Sequence, residues 1–209
     1  MSTNETAEHE PQEESQEEDQ EAQVQIVLEE ADPQDDLQLV SLYGDVDEEK
    51  CVEVIQAMRI LLAMKEKDAE ENPEFEFLIS TMGGSASDMF AIYDTMRMVK
   101  EDCDIVTRGL GKVMSAGVLL LAAGTKGKRV VGKNCRLMLH SVISGHMGEL
   151  HNLENELEEV QWTQKQYIKA LADETNMTEK YIKNLLNRKV NVYLTAEEAV
   201  EYGIADEVC

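Results

Sequence analysis

The chain has no C-x-x-C pair, no H-E-x-x-H and no place where cysteines and histidines gather. Its four cysteines, Cys51, Cys103, Cys135 and Cys209, lie far apart, which suits free thiols in a reducing compartment better than a disulfide framework. His9, His140, His146 and His151 lack metal-ligand spacing, so neither a zinc hydrolase nor any other cofactor is expected. No stretch approaches ~18 consecutive apolar residues, and the N-terminus is acidic where a secretory leader is basic and then apolar. The expectation is a cytoplasmic protein without a membrane partner.

Basic residues are missing from one region altogether: residues 1–36 hold 14 Asp and Glu and no Lys or Arg. Across the whole chain 43 acids face 19 bases, and a formal net charge of −24 repels polyanions, so nucleic acid is not expected as a partner. Only Val24, Ile26, Val27 and Leu28 form an apolar patch in the first 36 residues. So little apolar surface cannot offset the entropy of ordering the segment, which is expected to be a disordered acidic tail, solubilising or docking in role. A length of 209 residues leaves room for one globular domain, over residues 37–209.

Within that domain, short apolar runs alternate with segments of helical period, the mark of βαβ units and a largely parallel sheet. Leu37–Tyr43 reads as a strand, Gly44-Asp45 as a turn, and Asp47 as the cap of a helix facing inward through Val54, Met58, Leu61 and Leu62. A polar loop over 65–73 leads to a strand at Phe75–Ser80, then Gly83-Gly84 and the capping box Ser85-Ala-Ser-Asp88. Met89, Ile92, Met96 and Val99 give the following helix one apolar face. A strand over Asp104–Thr107 and a turn at Gly109 and Gly111 precede Ser115–Gly124, apolar on every side and so a buried helix. Val130-Val131 and Arg136–His140 read as strands, Glu149–Asp173 as a long amphipathic helix and Thr178–Asn187 as a shorter one. Thr195-Ala-Glu-Glu198 is a second capping box.

Ser115 stands where a glycine-bearing turn meets that apolar helix. Backbone N–H groups at a helix start would stabilise an oxyanion, so Ser115 is a candidate nucleophile, with a mere helix cap as the alternative. Val113 occupies the first glycine position of G-x-S-x-G, which excludes the α/β-hydrolase elbow. His140 ends a strand, where ligands of open α/β sheets collect, and is a candidate base. A nucleophile, a base and a Gly-Gly turn with free N–H groups are the parts acyl transfer needs. His146 and His151 flank a glycine-bearing loop and a polar helix and read as solvent-facing.

These residues also carry a resemblance. Thr81-Met-Gly-Gly-Ser85 with Ala91-Ile-Tyr-Asp-Thr-Met96, Gly111-Lys-Val-Met-Ser-Ala-Gly117, Asn134-Cys-Arg-Leu-Met-Leu-His140 and Leu194-Thr-Ala-Glu-Glu-Ala-Val-Glu-Tyr-Gly203 are similar, in collinear order, to the signatures of the Clp protease proteolytic-subunit family. The resemblance implies a crotonase-like α/β spiral of βαβ units that forms seven-membered rings, usually stacked in pairs around a hydrolytic chamber. The long helix from Glu149 would be the handle joining the rings, and an ATP-driven AAA+ unfoldase would feed unfolded protein or peptides to the chamber. It further implies Ser115 as nucleophile, His140 as general base, the N–H groups of Gly84 and Ala116 as oxyanion hole, and Ser144, Gly145 and Gly148 in the loop that pairs with an extended substrate.

The chain departs from the family pattern in three respects. Asn191 stands where the family's third catalytic residue is an aspartate, and a neutral amide cannot balance an imidazolium; the equivalent exchange in a trypsin triad costs about 10⁴ in kcat. Lys189-Val190 replaces an acidic-basic pair that contributes to contact between rings, and Glu76, Leu78 and Met98 replace aromatics of the unfoldase docking pockets. The resulting expectation is a serine endopeptidase with an atypical Ser115-His140-Asn191 triad, weak alone and active in a homo-oligomer or in a mixed ring with a paralogue. A non-catalytic ring subunit is the alternative, and an acyl-CoA hydratase of the wider crotonase group is a weaker one, since that chemistry has no use for the serine-histidine pairing. Deleting residues 1–36 should shift the thermal midpoint by less than about 4 °C, the effect of ~1 kcal/mol in a domain of this size. A larger fall in a calorimetric scan would show that the tail belongs to the core.

Overall fold

The computed structural model describes residues 39–68, 73–188 and 190–209; the expected tail over residues 1–36 and the Lys189 departure lie outside them. Three parallel strands open the fold, β1 (Leu39–Val46), β2 (Glu74–Gly84) and β3 (Asp104–Met114), and a helix follows each. Alternate residues point inward, as the two-residue period of a strand requires: Val40 and Leu42 in β1, and Phe75, Phe77 and Ile79 in β2, are buried. Helix α1 (Glu48–Asp68) starts where Asp47 Oδ1 accepts the Lys50 N–H at 2.9 Å, and it buries Val54, Met58 and Leu62. It also extends through residue 68, into the stretch expected as loop.

Helix α2 (Ala86–Val99) is capped by Ser85, whose hydroxyl accepts the Asp88 N–H at 3.3 Å, and it buries the expected face of Met89, Ile92, Met96 and Val99. Helix α3 (Ala116–Ala122) is buried along its whole length. Being apolar all round, it can sit only inside the molecule.

Three expected turns are continuous strand instead, Gly83-Gly84 among them as the end of β2. Gly44 and Asp45 stay in β1, accommodated by a register shift between Tyr43 and Asp45. Strand β3 runs on through Gly109 and Gly111 because it serves two neighbours in succession. Thr107–Gly109 pair with β4 (Arg129–Val131), and Lys112–Met114 pair with β5 (Arg136–Leu139). Gly111, at φ 65°, bends the strand from one neighbour to the next. Two further strands are too short to show alternation in the sequence: β6 (Val192–Leu194), antiparallel to β5, and β7 (Glu207–Val208), parallel to β4. The result is the expected α/β fold on a largely parallel sheet, ordered β1-β2-β3-β4-β7 with β5 and β6 branching from the end of β3.

Helix α4 (Leu150–Glu174) is divided in character. Its second half buries Tyr167, Ile168, Ala170 and Leu171, while Leu150, Leu153 and Leu157 in its first half stay exposed. Helices α5 (Glu179–Leu186) and α6 (Ala196–Glu201) begin at Thr178 and Thr195, and the Thr195/Glu198 capping box is complete. Cys51, Cys135 and Cys209 are free thiols, and burial pushes the Cys135 thiol up to about 11.

Arg129, only 4% exposed, ties these parts together. Its Nη1 donates to the carbonyls of Ala122, Glu174 and Gly203 at 3.2, 2.7 and 2.8 Å, while Nε and Nη2 donate to Asp206 at 2.8 and 2.5 Å. The guanidinium holds the Asp206 carboxyl below the usual carboxylate range. A depressed folded value means stability that is present above the unfolded carboxyl range near pH ~4 and is lost as pH falls through the folded value. Asp206→Asn should therefore destabilise the domain by about 1–3 kcal/mol at pH 7, with the gap closing in acid. A gap in denaturant midpoint that stays constant from neutral to strongly acidic pH would contradict this.

Candidate active site

Ser115 joins β3 to α3 at φ 52° and ψ −115°, and among the described residues it is the one non-glycine with positive φ. Such a backbone costs about 1–3 kcal/mol and persists only where its surroundings over-determine it. Here its N–H donates to the Met138 carbonyl at 2.7 Å, and its carbonyl accepts from Val118 N–H at 3.0 Å and from the Tyr167 hydroxyl at 2.9 Å. The side chain makes no capping hydrogen bond, so the serine is not serving as a helix cap. Gly83 packs directly on it at φ 96°: a Cβ there would stand 2.6 Å from the Ser115 Cβ. A Cβ on Gly84 would run into the Val46 carbonyl, so both glycines are required where the end of β2 meets the serine.

His140 follows β5 and is half-buried, with Nδ1 2.5 Å from the carbonyl oxygen of Ser141. A carbonyl can only accept, so the contact places a proton on Nδ1, and in the neutral ring Nε2 keeps the free lone pair. That is the tautomer a general base needs. Ser141 Oγ donates to the Leu186 carbonyl at 3.1 Å, and the Val142 N–H donates to Gln164 Oε1 at 2.7 Å, which fastens the segment after His140 to α5 and α4.

Ser115, Ala116, Gly84 and His140 line one cavity of about 360 Å³. Its other walls include Met82, Met89, Val142, Thr163 and Tyr167, which are largely apolar. Four of the residues expected for acyl transfer thus meet in one space. Among the described residues no hydrogen bond joins Ser115 to His140, a separation that apo sites often show.

The other expected residues lie apart. Asn191 is exposed, sits just before β6 outside the cavity lining, and makes no hydrogen bond to His140. Ser144, Gly145 and Gly148 are exposed in the segment between β5 and α4, where Ile143 and Met147 are 81% and 100% exposed. Such a segment leaves its backbone donors and acceptors accessible to an extended chain. Of the positions where the resemblance implies docking aromatics, Glu76 pairs with Arg108 at 2.5 Å and Met98 is exposed.

Two groups that contact the site residues leave no clear mark in the sequence. One is the Ser141 carbonyl, a backbone group with no signature. The other is Tyr167, which reads as one more apolar position of an amphipathic helix. A buried phenol needs a partner for its hydroxyl, and that requirement was the available signal. Burial pushes the Tyr167 phenol well up, which keeps it a neutral donor.

Among the described residues no helix is long and apolar enough to cross a membrane. A family model described as Clp protease matches residues 20–209. The match starts inside the acidic stretch, before the residue 37 boundary expected for the domain, and runs to the last residue. By that extent the chain belongs to the Clp protease family, whose members are in general serine peptidases.

Proposed function

We propose that this chain is a serine endopeptidase subunit that cuts unfolded polypeptides or peptides inside an oligomeric chamber in the cytoplasm. The observation that carries the reading is the strained Ser115 facing the same cavity as His140, Gly84 and Ala116. Ser115 Oγ attacks the scissile carbonyl while His140 Nε2 takes its proton. The oxygen that gains charge is met by the N–H groups of Gly84 and Ala116. The exposed 144–148 segment pairs with the extended substrate, and the apolar cavity walls receive the side chain beside the bond that is cut.

The third position weakens the centre. The imidazolium formed in the attack is met by the Ser141 carbonyl here, and by the Asn191 amide oxygen once subunit contacts bring the segment before β6 to the ring. Neither group is charged. Activity is accordingly low alone, and greater in a ring or in a mixed ring with a paralogue that has a complete triad. The exposed Leu150, Leu153 and Leu157 supply the apolar helix face for that assembly. An AAA+ unfoldase that docks here has to accept the Glu76–Arg108 pair in place of an aromatic pocket. The absent Ser115–His140 bond and the displaced Asn191 favour one other reading, a ring subunit with a structural or regulatory role.

Reaction with a fluorophosphonate separates the two. Slow labelling at Ser115 is expected, abolished by Ser115→Ala and accelerated at least about tenfold by Asn191→Asp, which restores a carboxylate. If neither the parent nor Asn191→Asp is labelled in the assembled state, the structural role stands.

A further inference from the structure

Tyr167 lies on α4, far in sequence from the serine, yet its hydroxyl donates to the Ser115 carbonyl at 2.9 Å. That carbonyl shares a peptide unit with the Ala116 N–H. A trans peptide is planar, with its C=O and N–H pointing in opposite directions. Holding the oxygen therefore aims the N–H, and a hydrogen bond to the carbonyl also polarises the unit and makes the N–H a better donor. The Tyr167 ring lines the cavity beside Thr163, one turn earlier on the same helix, and the residue is only 5% exposed.

We propose that Tyr167 is the positioning residue of the oxyanion hole: its hydroxyl fixes and polarises the Ser115–Ala116 peptide so that the Ala116 N–H points into the cavity at the substrate oxygen. This rests on the peptidase reading above. Val118 N–H also donates to the Ser115 carbonyl, at 3.0 Å, but it comes from the helix to which the peptide itself leads. Tyr167 is the bond from outside, and it is what resists rotation of a peptide that follows a residue at φ 52°. The same contact ties the site to α4, whose other half carries the exposed leucines. A shift of that helix on assembly would move the hydroxyl and so the donor.

The test is Tyr167→Phe in the full chain, which removes one oxygen and keeps the ring. Val118 still satisfies the Ser115 carbonyl, so the fold should persist, as a thermal scan can verify. A peptide aldehyde adds to Ser115: the Oγ–C bond forms, the carbonyl π bond opens onto oxygen, and the serine proton passes to His140. The adduct needs the oxyanion donors, whereas a cleaved peptide product does not. In Tyr167→Phe, aldehyde affinity and the fluorophosphonate rate should each fall about tenfold, with product affinity within twofold of the parent.

A kcat loss at constant KM is expected on a short peptide substrate. If aldehyde and product affinities fall together, the residue only shapes the cavity, and the assignment is overturned. Labelling in the parent that is unchanged in Tyr167→Phe overturns it as well, and leaves the peptidase reading standing. No labelling of any form overturns both. Should Tyr167→Phe fail to fold, Tyr167→Met carries the same expectation, since it keeps an apolar side chain of similar reach without the hydroxyl.

Discussion

A left-handed backbone at one serine, between the third strand and a helix with no polar face, is the constraint on which the rest of the site depends. The chain must turn sharply there because α3 is entirely buried, and β3 delivers it to the core from the sheet's edge of contact with β5. Bonds from Met138, Val118 and Tyr167 hold the turn, and Gly83 gives it space. The consequence is chemical. A serine so placed has its hydroxyl free of capping duty and lines a cavity that also receives a histidine from the neighbouring strand end.

The remaining structure supplies that arrangement with rigidity on one side and freedom on the other. Arg129 gathers the carbonyl ends of three helical or loop segments and a carboxylate into one knot outside the cavity lining. Breaking such a knot leaves unpaired polar groups in the interior, so this part of the fold resists rearrangement. Residues 143–148, beyond the bonds that fasten Ser141 and Val142, in contrast expose Ile143 and Met147, and the first half of α4 presents leucines to solvent. Subunit contacts would cover surface of this kind. Under the proposed function, catalytic strength is tied to assembly.

Much of this was legible in the sequence, for identifiable reasons. Long periodic segments such as α2 declare a face through Met89, Ile92, Met96 and Val99, and the Thr195/Glu198 box marks a helix start by its chemistry. The meeting of Ser115 and His140 could be anticipated because each lies at a junction between elements, and Gly84 and Ala116 were expected beside them from the family resemblance. Less could be read where tertiary pairing overrides local signals. Gly109 and Gly111 look like a turn, but β3 needs them to change neighbours, and β6 and β7 are too short to alternate. The Ser141 carbonyl and the Tyr167 hydroxyl act through contacts across the fold that no spacing encodes. Asn191 could be aligned with the family's acid, yet its separation from His140 is a matter of three dimensions alone.

The most direct test is a crystal structure of the assembled protein after reaction with a fluorophosphonate. The account predicts phosphorus on Ser115 Oγ, a phosphoryl oxygen within about 2.7–3.1 Å of both the Gly84 and Ala116 nitrogens, and His140 Nε2 turned toward the serine oxygen. An adduct on another side chain, or a phosphoryl oxygen facing solvent with those two N–H groups aimed elsewhere, would contradict it.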